Sequence, residues 1–340
     1  MIEKYFASAN GYSGFRSYFD EVFSESDLNK LFILKGGPGT GKSTFMKRIA
    51  EDFSQRVDKC ELILCSSDKD SLDGVILYSK RGRVAIVDGT APHLLDTHFP
   101  GAVSEIVNLG EGWDSAALFA CRDEIKELTK RKAEAYRKAY DTLSVAGRIA
   151  DRNLTICKDH FDKKRAEKAA RILLSGNEVY EGRSRTRLLS AFGKSGCFSL
   201  PASDKYEKIN ICGRHGSAEL YLSLIADILT ESSFAEIVVP AALDGRIRSG
   251  LLTKSRAYII ADEGISAEEF LIKFTAEDKE ESAMLEALHV KALAIAAEHF
   301  SHASEYHFKL EEIYSSYMNY TLNEEKLEWV RSLIQRWLGF

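Results

Sequence analysis

The chain has 340 residues, 45% of them hydrophobic and 29% charged, which is enough for two domains with hydrophobic cores. Its formal net charge of −5 does not favour a nucleic acid as a partner, because nucleic-acid-binding proteins carry a basic surface. No apolar stretch approaches the ~20 residues that cross a bilayer, and the first residues lack the apolar core of a signal peptide, so we expect a cytoplasmic protein without membrane contact.

The first predicted elements are a strand, a loop and a helix in direct succession. Residues 31–35 form an apolar run typical of a buried strand, and apolar residues recur at helical spacing from Thr44 to Phe53. The loop between them has the pattern G-x-x-x-x-G-K-[ST], whose backbone N–H groups surround a polyphosphate at a helix N-terminus. No N-K-x-D element for guanine is present, which favours ATP over GTP. The predicted ATP-binding residues are Gly36, Gly37, Pro38, Gly39, Thr40, Gly41, Lys42, Ser43 and Thr44.

The acid at the end of a later strand completes the expected magnesium site. The strand 83–88 is apolar until Asp88, the position at which P-loop enzymes place the acid that orders Mg²⁺. We therefore predict Ser43 and Asp88 as metal ligands, and Lys42 and Asp88 as catalytic residues, with Lys42 reaching the β- and γ-phosphates. The alternative is that Asp88 only ends a strand as a turn or cap residue.

The residue that would activate the attacking water is not obvious from the sequence. Many P-loop ATPases have a glutamate directly after the strand-ending acid, but Gly89 follows Asp88 here. Other candidates are Asp68, Asp70 and Asp73, in the segment 65–73, and His93 and Asp96, in the segment 88–101; Asp68 and His93 are the predicted catalytic residues among them. Aspartate and its polar neighbours are also common turn residues, so a purely structural role is the alternative for each.

The remaining pattern of the first half predicts an α/β fold with parallel sheets. Further strands are expected at residues 61–66 and 104–109, and a helical region covers 114–175. This region has no proline, so we expect either a long helical hairpin or two helices that separate near Gly147.

The second half of the chain repeats the order of the first. The frame S-A-x-G-x-S-G begins at Ser8 and again at Ser190. Internal repeats of this kind indicate duplicated structural units. We predict a P-loop NTPase domain over residues 1–178 and a duplicated domain over 179–340, the alternative being an unrelated α/β domain with chance similarity. The predicted strands of the second half are 208–212, 236–240 and 257–262, and its helical region is 277–338.

The second phosphate loop cannot work as the first one does. When Gly36 is aligned with Gly213, Lys42 falls on Glu219 and Ser43 on Leu220. A carboxylate repels phosphate, and leucine cannot bind a metal ion. We therefore predict that the second copy is degenerate and that the chain has one active nucleotide site.

Three phrases of the first half, FILKGGPGTGKST, CSSDKDSLDG and VAIVDGTAPH, resemble a family of uncharacterised bacterial tandem P-loop NTPases described only as ATPases. The resemblance covers most of the chain and is strongest over residues 5–110. It implies ATP binding at residues 36–44, with Asp68, Asp73, Asp88 and His93 as further site positions. Members of that family also carry a recognisable phosphate loop in the second half, which this chain lacks.

Three functions agree with these observations. The first is a Mg²⁺-dependent ATPase, which would release phosphate without an added acceptor. The second is a small-molecule or nucleotide kinase, in which an unknown acceptor would be required. The third is a non-hydrolysing, nucleotide-gated binding protein with an unknown protein partner, which the missing glutamate after Asp88 favours.

Overall fold

The computed structural model describes residues 1–92 and 94–339 and has an α/β fold, with two mixed sheets and several long helices. The strands are β1 Ile2–Phe6, β2 Ser8–Gly11, β3 Gly14–Ser17, β4 Lys30–Lys35, β5 Lys59–Leu64, β6 Leu72–Ser79, β7 Gly82–Asp88, β8 Ser104–Asn108, β9 Arg185–Thr186, β10 Ser190–Gly193, β11 Gly196–Ser199, β12 Glu207–Cys212, β13 Ile237–Pro240, β14 Arg248–Leu252, β15 Arg256–Ile260 and β16 Ile265–Ser266. The α-helices are α1 Phe19–Val22, α2 Lys42–Phe53, α3 Ser115–Ala120, α4 Arg122–His160, α5 Lys163–Leu173, α6 Ser217–Glu231, α7 Ala276–Ser316 and α8 Thr321–Leu338.

The chain divides into two compact units, each built from separate segments. Unit 1 contains residues 1–8, 17–138 and 299–340, and unit 2 contains residues 9–16 and 139–298. The long helices α4 and α7 therefore contribute residues to both units. The expected division at 178/179 concerns the two duplicated segments and stays a prediction. The compact units do not follow this division, because each contains helical residues from both segments.

The sheet of unit 1 is mixed, so the prediction of a parallel sheet is wrong for one strand. Its order is β1-β5-β6-β7-β4-β8, and β6 runs antiparallel to both of its neighbours. The cause is the short turn between Ser79 and Gly82, because a connection of this length joins antiparallel strands only. The predicted strands at β4, β5, β7 and β8 are confirmed.

The core of unit 1 lies around β4 and β7. All four residues from Leu31 to Leu34 are fully buried, as are those from Val84 to Val87. Helix α2 buries Phe45, Met46 and Ile49, which confirms the predicted helical face. This packing holds the loop between β4 and α2 on a rigid base.

The sheet of unit 2 has the same strand order and orientations as that of unit 1. Its order is β9-β13-β14-β15-β12-β16, with β14 antiparallel to both neighbours and the other pairs parallel. Helix α6 follows β12 as α2 follows β4. Each unit therefore has a strand, a loop and a helix at the equivalent place.

Helix α4 is continuous through Gly147, so the predicted break at this glycine is wrong. The glycine is needed for packing rather than for a turn. A Cβ atom at Gly147 would lie only 2.6 Å from the Cβ atom of Tyr12, another residue of unit 2.

Within the described part of the chain, none of the helices is both long enough and apolar enough to cross a membrane.

Candidate functional site

The loop of residues 36–41 links β4 to α2 at the carboxyl end of the strand. Gly41 is the N-cap of α2 and has a φ of 81°, a left-handed conformation that glycine adopts without strain. The hydroxyl of Thr40 donates to the carbonyl oxygen of Gly37 at 2.9 Å and so closes the loop. The backbone N–H groups of the first turn of α2 are then available at a helix N-terminus, where anions bind favourably.

Lys42 lies over this loop. Its ammonium group donates to the carbonyl oxygens of Gly36 at 2.8 Å and Gly37 at 3.0 Å, and lies 3.7 Å from Oδ2 of Asp88. The two charged side chains are 12% and 14% exposed. They meet because β7 is the direct neighbour of β4, with Leu34 opposite Asp88 in the parallel register. The structure therefore brings together two of the predicted catalytic residues.

Asp88 is held in a fixed orientation. Its Oδ1 atom accepts hydrogen bonds from the backbone N–H of Thr90 at 2.8 Å and from the Thr90 hydroxyl at 2.6 Å. Burial raises the pKa of Asp88 above its ordinary value and the nearby Asp73 carboxylate adds to this rise, while Lys42 and Thr90 oppose it. A bound divalent cation would stabilise the charged form of this buried carboxylate.

The predicted metal ligands Ser43 and Asp88 both carry oxygen atoms, the donors that Mg²⁺ prefers, and would leave the rest of its shell to phosphate and water oxygens. Ser43 begins the first turn of α2, and its hydroxyl oxygen accepts a hydrogen bond from the backbone N–H of Leu72 at 3.0 Å. Among the described residues no cluster of three or more His, Cys, Asp or Glu side chains is arranged for a metal ion. The protein alone therefore supplies few ligands, and the fit depends on a polyphosphate.

Asp73 is a second acid at this edge of the sheet. It is 5% exposed. Its neighbour Gly74 pairs with Val87 in the antiparallel register of β6 and β7, so Asp73 lies opposite Asp88. The two carboxylates also affect each other electrostatically. Because β6 is antiparallel, its first residues lie at the same edge as the last residues of β7. The antiparallel strand thus brings a second carboxylate close to Asp88.

The other predicted site residues differ in their placement. Asp68 accepts a hydrogen bond from the backbone N–H of Asp70 at 3.1 Å, which is turn chemistry within its own loop. No hydrogen bond or ion pair joins it to Lys42 among the described residues. Thr44 is exposed in the first turn of α2. His93 lies outside the described residues.

The C-terminal segment of unit 1 covers the loop of residues 36–41, a contact that no sequence pattern predicts. The Tyr320 hydroxyl donates to the carbonyl oxygen of Gly39 at 2.7 Å, and the Asn323 side-chain amide donates to that of Thr40 at 2.9 Å. Helix α7 lies just as close, because a Cβ atom at Gly39 would be 2.9 Å from the carbonyl oxygen of Glu311. No local pattern in the sequence connects these positions.

The covering segment also brings charged side chains close to Lys42. His307 and Glu311 lie one turn apart on α7, 3.6 Å from Nε2 to Oε1. Burial, together with the positive charges of Lys132 and Lys42, lowers the pKa of His307 to about 4. Burial raises the pKa of Glu311, and the negative charge of Asp68 also raises it while Lys42 opposes the shift. The surroundings of Lys42 therefore include cationic and acidic groups from three distant segments.

The equivalent loop of unit 2 lacks this chemistry. Residues 213–216 link β12 to α6, so this loop is two residues shorter than the loop of residues 36–41. Its closing hydrogen bond is retained, from the Ser217 hydroxyl to the carbonyl oxygen of Arg214 at 2.8 Å. The acid of its first helical turn is Glu219, whose pKa is raised by burial and by Glu286. No lysine stands where Lys42 stands in unit 1.

Searches against family models, curated proteins and solved structures found no match to this chain. Any statement about its function therefore depends on the geometry of the residues themselves.

Proposed function

We propose that unit 1 is a P-loop NTPase domain that binds Mg²⁺·ATP at residues 36–44 and hydrolyses it, and that unit 2 is a degenerate copy of the same domain. The main observation in support is the position of Lys42, which lies over a glycine-rich loop at a helix N-terminus and 3.7 Å from a buried acid on the neighbouring strand. This is the combination of cation, backbone donors and carboxylate that a nucleotide triphosphate with its metal requires.

In this proposal Lys42 leaves the carbonyl oxygens of Gly36 and Gly37 and binds the β- and γ-phosphates. The backbone N–H groups of the loop hold the remaining phosphate oxygens. Ser43 and Asp88 would hold Mg²⁺, which would supply positive charge against the charge that develops on the transferred phosphoryl group.

We assign the water-orienting role to Asp73. No glutamate follows Asp88, and Asp73 is the nearest acid in register with it. In hydrolysis the water oxygen bonds to the γ-phosphorus as the bond to the β-phosphate oxygen breaks, and Asp73 accepts the proton of the water. Asp88 remains with the metal, so the two carboxylates have separate tasks.

A kinase is the second candidate, because a cavity lies beside the loop that follows β5. Its volume is about 330 Å³, and its lining includes Lys4, Lys47, Lys69 and Leu72. These three lysines and the two acids of the lining, Glu51 and Asp70, leave one positive charge beside the apolar groups, which suits a small anionic acceptor. Leu72 also donates its backbone N–H to the Ser43 hydroxyl, so the cavity adjoins a proposed metal ligand.

Phosphate release from Mg²⁺·ATP by the purified protein tests the proposal, with Lys42→Ala as the variant and Lys80→Ala as the control. Lys80 is exposed in the turn between β6 and β7. We expect release by the wild type and by Lys80→Ala, and none by Lys42→Ala. ATP binding without release would favour a nucleotide-gated protein, and release only with added metabolites would favour the kinase. Absence of Lys42-dependent ATP binding would contradict nucleotide binding altogether.

A further inference from the structure

Unit 2 contains a cavity of about 280 Å³ that has no part in the proposed function; we call it the Arg16 cavity. It is lined by residues from three segments: the hairpin tip 12–16, the α4 residues 144–151, and the loop 243–246. All three segments belong to unit 2. The size suits a small metabolite rather than a macromolecule.

The Arg16 cavity lies at the edge of the sheet where α/β proteins bind ligands. The loop 243–246 follows β13, and the loop 213–216 follows β12. These two strands run in the same direction, since β14 is antiparallel to β13 and to β15, and β15 is parallel to β12. Both loops therefore lie beyond carboxyl ends of strands, the preferred edge for ligand sites in α/β sheets.

The hairpin tip is held in place by several contacts. The backbone N–H of Tyr12 donates to the carbonyl oxygen of Leu243 at 2.9 Å, and the Tyr12 hydroxyl lies 2.7 Å from Nε2 of His289. The close approach of Tyr12 to Gly147 fixes the hairpin against α4. The walls of the cavity are thus joined by hydrogen bonds and by packing.

One of the three arginines in the cavity is already neutralised by the protein. Arg246 donates from Nε to Oδ1 of Asp244 at 2.9 Å and from Nη2 to Oδ2 at 2.7 Å. Its Nη2 atom also lies 2.6 Å from Oδ1 of Asp151. Burial disfavours the charged form of Asp244, but the hydrogen bonds from Arg246 outweigh it and lower the pKa of this carboxyl. Arg246 is therefore hydrogen-bonded to both acids of the cavity.

Arg16 is not neutralised in this way. Its Nη2 atom donates to the Ser13 hydroxyl at 3.3 Å, but its Nη1 atom is buried and has no hydrogen-bond partner among the described residues. The guanidinium lies against the backbone of Gly245, where a Cβ atom would be 2.3 Å from Nη1. A buried charged donor without an acceptor costs free energy, so such a group commonly indicates a missing ligand or water.

The charges of the cavity do not balance without a ligand. Arg148 contributes an exposed guanidinium from α4, and the three arginines face only two aspartates, Asp151 and Asp244. The excess is one positive charge. Among the described residues of the cavity, only Arg246 is hydrogen-bonded to the two aspartates, whereas Arg16 acts on Asp244 through its charge alone. Arginine binds carboxylate and phosphate oxygens with two donors at once, which matches a buried Nη1 atom that needs an acceptor.

We propose that the Arg16 cavity binds a small molecule through its oxyanion group, a carboxylate or a phosphate, with Arg16 as the principal donor and Arg148 as the second cation. The proposal does not depend on nucleotide binding in unit 1. It gives unit 2, whose own phosphate loop lacks a lysine, a ligand site at the same edge of its sheet.

The test uses the full chain carrying Lys42→Ala, so that the loop of residues 36–43 contributes as little as possible to anion binding. Sodium phosphate and sodium acetate are titrated separately, and the Nε–Hε signal of Arg246 is followed by NMR. Sodium chloride of equal ionic strength is the reference. We expect a saturable shift with phosphate or acetate that chloride does not produce. The anion that binds more tightly identifies the source as a phosphate or as a carboxylate compound.

Two variants and one control connect the binding to the cavity. Replacing Arg16 by Met removes a charge-assisted hydrogen bond, so we expect roughly 10-fold weaker binding or more. Arg148→Met, at an exposed position of α4, should weaken binding by a smaller factor. Arg171→Met is the control, since Arg171 pairs with Glu167 on α5 and does not line the cavity. An equal response of all variants, or of chloride, would overturn the proposal.

Discussion

The ammonium group of Lys42 lies 3.7 Å from Oδ2 of Asp88. Asp88 ends β7, and Lys42 begins α2, the helix that follows the neighbouring parallel strand β4. This distance depends on strand order, because a strand inserted between β4 and β7 would move Asp88 away by ~5 Å. The adjacency of β4 and β7 therefore places Asp88 beside Lys42, at the position proposed for a metal ligand. The predictions below concern this pair and the residues around it.

Replacing Asp88 by Asn should abolish most ATP hydrolysis, because the metal and the transferred phosphate lose a negative ligand on the strand next to the loop. We expect a decrease of kcat on the order of 10²–10³, similar to other losses of transition-state electrostatics. Initial phosphate-release rates over a range of Mg²⁺ concentrations measure it. Asp70→Asn, an exposed residue of the 65–73 loop, is the control and should retain activity.

Asp73→Asn should lower kcat while the KM for ATP changes little, since Asp73 is assigned to the water and not to the nucleotide. The expected loss is about 10²–10⁴, the usual range for a general base. Comparison of kcat and KM with those of Asp88→Asn separates the two roles. A variant with full turnover would show that another group orients the water.

Tyr320→Phe removes one hydrogen bond to Gly39 while the ring keeps its contact with Gly41, where a Cβ atom would be 3.6 Å from Tyr320 Cε1. The free energy of unfolding should fall by about 1 kcal/mol, the usual net value of one hydrogen bond. The KM for ATP should rise because the loop is held less firmly. Tyr317→Phe is the matched control, since its hydroxyl lies beside Cys121 at an exposed site. Urea unfolding and steady-state kinetics give both quantities.

Gly147→Ala tests the packing of the hairpin tip against α4. Alanine is favoured over glycine within a helix by ~1 kcal/mol, so an unhindered site would become more stable. Here the new Cβ atom would lie 2.6 Å from Tyr12, and overpacking of this kind costs about 1–3 kcal/mol. We expect a net decrease in thermal stability. Increased stability would show that the hairpin can move away without cost.

His307 should make folding sensitive to pH. Its pKa is lowered from 6.5 to about 4, so between these values the unfolded chain binds a proton that the folded chain does not. The free energy of unfolding therefore falls as the pH decreases from 6.5 to about 4. The stability that depends on a neutral His307 is fully present only above pH 6.5. Because the side chain is 43% exposed, we expect a modest effect.

Urea unfolding of wild type and His307→Gln at several pH values between 4 and 7 measures this contribution. The variant should lose less stability than the wild type on acidification. His302→Gln, an exposed histidine of the same helix, is the control and should follow the wild type. Parallel pH curves for the wild type and His307→Gln would contradict the assignment.

The sequence by itself determined the strand, loop and helix around Lys42 and most of the parallel strands. These elements depend on local signals: the apolar run from Leu31 to Leu34, the glycines of the loop, and the helical spacing of Phe45, Met46 and Ile49. The repeated order of such signals was also enough to predict two similar units.

Only the tertiary structure decided the antiparallel strand β6, the continuous helix α4 and the cover over the phosphate loop. The Tyr320 hydroxyl and the Gly39 carbonyl group are 281 positions apart, and nothing near either residue indicates the other. Asp73 likewise reaches Asp88 only because β6 lies beside β7 in the opposite direction. Local patterns reflect the period of one element, whereas these contacts arise from the way several elements bury their apolar faces together.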